Sequence, residues 1–180
     1  NLVFKIPVFN NMNATIINGG SGAIDNPEDG GSKPSTIPIS TIVTSSGFRY
    51  TSKYISNIAV GTDVTEVKGA LESVAGNATV NISDKDGNNV TSGIMKTGYK
   101  VSINNQSSTE VLEVIIKGDT SGDGEINALD LLQVVKNISG SYNLEGAFKE
   151  AADTSGDGEI NALDVLQIVK NISGSYKIIQ

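Results

Sequence analysis

Apolar positions along the chain change their period several times. LVFKIPVFN, residues 2–10, concentrates Val, Phe and Ile and is expected to form a strand, with Pro7 favouring an edge or a strand end. The pattern then lapses. The tract GGSGAIDNPEDGGSKPS offers too little apolar surface to offset the entropy of ordering it, so residues 19–36 are expected to be a flexible linker. TSKYISNIAV alternates with period two, as a strand does. TDVTEVKGALESV switches to helical spacing through Val64, Val67, Leu71 and Val74, behind a D-x-x-E capping box of Asp63 and Glu66. ATVNISDKDGNNVTSG reads as a hairpin turning at Asp86-Gly87, and GYKVSIN and EVLEVIIKG as two further strands. Beyond them the period is helical again. LLQVVKNISG and VLQIVKNISG are amphipathic helices stopped at Gly140 and Gly174, with NLEGAFKEAA a short helix between them.

The fold class expected is therefore α+β and multi-module. Residues 1–18 carry a strand from or for another module, and 19–36 the linker. Residues 37–117 form a small α+β module, one helix on a sheet of four or five strands, and residues 118–180 are all-α.

The last region repeats itself. DTSGDGEINALD occurs at 119–130 and again at 153–164, and from Asp119 to Tyr142 against Asp153 to Tyr176, 22 of 24 positions are identical. Only Leu131/Val165 and Val134/Ile168 differ, both by conservative apolar exchanges.

Composition narrows the chemistry. The 180 residues contain no cysteine and no histidine, which removes disulfide staples, the commonest general base and the usual zinc ligand. The net charge is -7, and residues 119–176 carry all of it, with ten acidic and three basic side chains. No basic patch suits nucleic acid, and no apolar run approaches the roughly 20 residues of a membrane span. The first residue is Asn1, so a processed chain or a piece of a longer one is expected.

Acidic residues gathered into short loops point to cations. Counting from the first Asp, carboxylates stand at positions 1, 5 and 12: Asp119, Asp123 and Asp130, then Asp153, Asp157 and Asp164. Ser121 and Ser155 stand at position 3, Gly124 and Gly158 at 6, Asn127 and Asn161 at 9. Glu125 and Glu159, at 7, would give their backbone carbonyls, and Ile126 and Ile160, at 8, would pack the loops together. This is EF-hand spacing, which wraps alternate oxygens around a calcium ion needing six to eight of them, so two Ca2+ ions are expected. A calcium switch is not. The first loop follows a strand rather than a helix, position 12 is Asp, and both methionines (Met12, Met95) lie outside the repeat. The turn DKDGN at Asp84–Asn88 lacks the sixth-position glycine and any following helix.

Two loops of D-x-S-x-D-G-x-I-N-x-x-D, each followed by a helix, about 60 residues in all, resemble a type I dockerin. Many dockerins carry Asn where Ser121 and Ser155 stand, and serine still supplies an oxygen. The resemblance implies a secreted bacterial protein plugged into a cohesin module of a scaffoldin or partner enzyme. It also implies contact positions at the tenth, eleventh, fourteenth, seventeenth and eighteenth residues. These are Ala128, Leu129, Leu132, Val135 and Lys136, and in the second copy Ala162, Leu163, Leu166, Val169 and Lys170. Helical spacing independently draws a core stripe of Leu131, Val134, Val135 and Ile138, leaving Ala128, Leu129 and Leu132 on another side. That second side is open to two readings, more core or a partner face. Both differences between the copies fall on the core stripe, so a half-turn would present the same contacts from either helix.

No catalytic constellation is evident, and the chain is expected to be non-catalytic; the resemblance implies a piece of a glycan- or cell-wall-degrading protein. Glu110 and Glu113 suggest a solvated strand edge rather than a glycosidase pair. Tyr50, Tyr54 and Tyr99 leave room for weak carbohydrate stacking. The 37–117 module is similar to small β-rich modules that precede dockerins in Firmicutes surface hydrolases. An alternative to docking is a calcium-stiffened structural module that self-associates through residues 1–10, adding its strand to a neighbour's sheet.

Overall fold

A computed structural model describes residues 36–180, so the expected N-terminal strand and all but the last residue of the expected linker lie outside the described residues. The described residues fall within one compact unit. The chain order is α1 (Ile39–Ser45), β1 (Arg49–Tyr50), β2 (Tyr54–Ser56), α2 (Val64–Ala75), β3 (Thr79–Ser83), β4 (Lys100–Asn104), β5 (Thr109–Val114), α3 (Ala128–Ile138), α4 (Gly146–Ala152) and α5 (Ala162–Ile172).

The five strands make one sheet in the order β1-β2-β5-β4-β3. Neighbours are antiparallel except β2 and β5, which run parallel, with Ile55 beside Val114. Period-two alternation explains which face is covered. Val80 and Ile82 of β3, Val101 and Ile103 of β4, and Leu112 and Val114 of β5 all turn into the core. They meet Val64, Val67, Leu71 and Ala75 of α2 and Ile39, Ile42 and Val43 of α1. Leu71 is fully buried there, and truncating it to Ala would cost about 2–5 kcal/mol.

Helix α1 departs from expectation, since one helix was expected in this module and two are present. Its sequence ISTIVTS is rich in β-branched residues, follows Pro38 and has no side-chain cap, so local signals favour a strand. Tertiary packing of Ile39, Ile42 and Val43 decides otherwise. The strand expected over residues 51–60 shrinks to Tyr54–Ser56. Asp63 does cap α2, accepting from Thr65 N at 2.8 Å, yet the side chain of Glu66 does not return a bond. The turn at Asp84–Asn88 closes as expected, with Asp84 accepting from the backbone of Asp86 and Asn88. Its return arm is only an isolated bridge, Ser83 to Asn89. Glu110 and Glu113 are not at an edge but on the central strand β5, where Glu110 accepts the Tyr50 hydroxyl at 2.7 Å.

The repeat has a smaller core of Val134, Leu144, Ala152, Ile168 and Ile178. Ile126, Leu131, Phe148, Ile160 and Val165 pack around it, so the position-8 isoleucines of both loops share one core. Gly140 and Gly174 follow the C-caps of α3 and α5 with φ of 72° and 73°, the left-handed backbone that ends a helix. The C-terminus is tied back to the start of the repeat: Lys117 N donates to Gln180 Oε1 at 2.7 Å.

Candidate functional site

The two twelve-residue loops fold alike because each is a chain of short Asx turns. Asp119 Oδ1 accepts from Gly122 N and Asp123 N at 2.9 and 3.1 Å, and Asp153 Oδ1 accepts from Gly156 N and Asp157 N at 2.7 and 3.2 Å. Asp123 and Asp157 accept from the amides of Glu125 and Glu159, both at 2.9 Å. Each loop closes on its twelfth residue. Asp130 takes Ser121 N and Asn127 N at 2.8 Å each, and Asp164 takes Ser155 N and Asn161 N at 2.9 Å each. The position-12 carboxylate thereby binds loop to helix, and its bond to residue 9 is half of a reciprocal capping box.

Asn127 and Asn161 are the other half. Their side-chain oxygens accept from Leu129 N and Leu163 N at 2.8 and 2.7 Å, so position 9 serves as helix N-cap. That is why α3 and α5 begin at Ala128 and Ala162, three residues before the apolar pattern suggests. The cap was available to a sequence reading as Asn followed three residues on by Asp. Glu125 and Glu159 are exposed.

Asp119, Asp130 and Asp164 are fully buried. The ion pairs found among the described residues, Lys68–Glu72 and Lys85–Asp86, are elsewhere. Burial pushes the Asp119 carboxyl above the usual carboxylate range, against the pull of the Thr97 amide, and the neighbouring charge of Asp130 adds to the rise. Asp157, on the open second loop, is held below that range, chiefly by the Glu159 amide. Buried carboxylates without a basic partner are costly, and a hard cation offsets that cost. Among the described residues no three Asp, Glu, His or Cys side chains converge closely enough to make a metal cluster by themselves. The oxygens each loop offers are instead mixed: carboxylates, a serine hydroxyl and main-chain carbonyls. This all-oxygen chemistry suits calcium.

The candidate partner residues lie on the outward side of α3 and α5. Leu129, Leu132 and Val135, and Leu163, Leu166 and Val169, are each 42–48 % exposed, so the two copies present their faces equally. Ala128, Lys136, Ala162 and Lys170 are exposed too. The expected core stripe needs correction. Val134 and Ile168 are fully buried and Leu131 and Val165 partly so, but Val135 and Ile138 point outward, 45 and 46 % exposed. Short helices in a small core bury only one side each. Ile138 and Ile172, with Tyr142 and Tyr176 beyond them, extend both apolar faces past the residues named from sequence. An open groove of about 310 Å³ lined by Val135, Ile138, Ser139, Ala162 and Val165 lies between α3 and α5.

Residues 117–173 match the dockerin type I domain family model. No curated protein and no solved structure matches the chain. The C-terminal third of the chain is thus a type I dockerin domain, a class that binds calcium and docks onto cohesins. Among the described residues, no helix is long and apolar enough to cross a membrane.

Proposed function

Taking the dockerin domain as premise, we propose that this chain is a non-catalytic module that fastens a secreted bacterial protein, one that degrades glycan or cell wall, to a cohesin. Two calcium ions would be held, one per loop: by Asp119, Ser121, Asp123, Asp130 and the carbonyl of Glu125, and by Asp153, Ser155, Asp157, Asp164 and the carbonyl of Glu159. Asn127 and Asn161, at the ninth position of each loop, act here as helix caps that hold the loops in shape. Calcium's contribution is to neutralise the carboxylates and so set the N-terminal ends of α3 and α5.

The observation that carries this reading is the equal exposure of Leu129, Leu132 and Val135 and of Leu163, Leu166 and Val169 directly after the two loops. Unpaired apolar residues on helices this short need a partner to cover them. Lys136 and Lys170 give each face a basic edge. Because the copies agree at every one of these positions, a cohesin could be met by either helix after a half-turn. Isothermal titration with a recombinant type I cohesin tests the proposal. Heat of binding is expected in calcium and none in excess chelator; binding indifferent to chelator, or absent from every cohesin tried in calcium, would refute it.

A further inference from the structure

Identical loops receive different support from the rest of the chain. The turn Ile94–Gly98, from the α+β module, lies over the first loop. Its Thr97 amide donates to Asp119 Oδ2 at 2.9 Å, in a buried setting. The Thr97 hydroxyl in turn accepts from Ile116 N at 3.1 Å, which locks this turn to the segment entering the loop. Contact is tight. A side chain at Gly122 would meet Phe148 at 2.8 Å and the Thr97 carbonyl at 3.0 Å, and one at Gly124 would meet Ile94 at 2.6 Å.

Among the described residues the second loop has no such cover, and Gly156, Asp157 and Gly158 are exposed. Each loop has one lysine beside it: the stem of Lys96 would lie 3.2 Å from a Gly124 side chain, whereas the second loop takes an ammonium directly on its backbone. Lys117 Nζ donates to the Asp153 carbonyl at 2.8 Å and lies 3.2 Å from where a Gly156 side chain would begin. The lysine is half-buried and pairs with no carboxylate among the described residues within salt-bridge distance. A neutral N–H fixes a ligating carboxylate without opposing the cation, whereas an ammonium beside a loop repels it.

We propose that the two calcium loops fill in order: the first loop binds first and more tightly, braced by Thr97 of the upstream module, and the second fills later against the charge of Lys117. This rests on the calcium reading of the loops given above. The upstream module is then an outer shell for the first ion, and Thr97 a positioning residue. Lys117 tunes the second site.

Calcium titration of the full chain, followed through the backbone amide resonances of Gly124 and Gly158, tests it. The Gly124 resonance is expected to reach its bound position at lower calcium than that of Gly158. Lys117→Met should tighten the second loop roughly fivefold, leaving the first unmoved, while Lys117→Arg keeps the original order. Thr97→Pro, which removes the N–H, should weaken the first loop about 10- to 100-fold. Because that variant could fail to fold, the wild-type order stands as the deciding measurement. Simultaneous filling, or Gly158 first, overturns the proposal while leaving calcium binding intact. Resonances that ignore calcium at both loops overturn the calcium reading as well.

Discussion

The two halves of the repeat agree at 22 of 24 positions, yet one loop is partly covered by a neighbouring turn and, among the described residues, the other is more open. Asp119 is fully buried where Asp153 is only half-buried, and Gly124 is buried where Gly158 is exposed. Past the loops the difference disappears. The outward residues of α3 and α5 are exposed to the same extent. Duplicated sequence thus yields duplicated faces without duplicated surroundings. The ion sites inherit the asymmetry of the upstream module, and the apolar faces do not.

The strongest challenge to that contrast is removal of calcium. At free calcium 100-fold above Kd, each bound site contributes roughly 2.7 kcal/mol, so chelation should lower the stability of the repeat markedly. Hydrogen exchange is expected to show protection lost in α5 before α3, because only the first loop keeps its cover. Uniform loss would mean that the cover has no energetic weight. Next in size are the two faces of the helices. Ile168→Ala or Val134→Ala removes a fully buried side chain and should cost about 2–4 kcal/mol. Val135→Ala or Val169→Ala should stay within about 0.5 kcal/mol, both series read from urea denaturation in calcium. Equal costs would place Val135 back in the core.

A finer comparison sets Gly122→Ala against Gly156→Ala. Both glycines have left-handed backbone, φ 72° and 76°, so both variants are strained by about 1–2 kcal/mol. The first additionally drives a methyl against the Thr97 carbonyl and the Phe148 ring. Its cost should be larger by about 1 kcal/mol or more, measured as the shift in thermal midpoint. Equal shifts would mean that the turn over the first loop gives way freely.

The loops were legible because their information is local. Spacing of Asp119, Asp123 and Asp130 and glycine at the sixth position need no tertiary knowledge. Likewise Val80/Ile82, Val101/Ile103 and Leu112/Val114 announce their strands through alternation alone. Helix α1 was not legible, since β-branched ISTIVTS after a proline argues locally for extended chain, and only burial of Ile39, Ile42 and Val43 makes it a helix. Helical spacing drew the core stripe through Val135 and Ile138 because a helix with two apolar sides does not announce which one its neighbours cover. Glu110 and Glu113 were misplaced to an edge for a related reason: the parallel pairing of β2 with β5 is invisible in either strand. The Thr97 bond to Asp119 joins residues 22 apart in sequence through a main-chain amide, and no residue type marks it.

The central claim is that either helix face docks the same partner. Its most direct test is calorimetric titration of a type I cohesin, in calcium, into three variants: Leu129→Ala with Lys136→Ala, Leu163→Ala with Lys170→Ala, and all four together. Each double variant is expected to keep its affinity within roughly twofold, the statistical weight of one lost orientation, and the quadruple variant to show no binding. Loss of binding in either double variant alone would contradict the account.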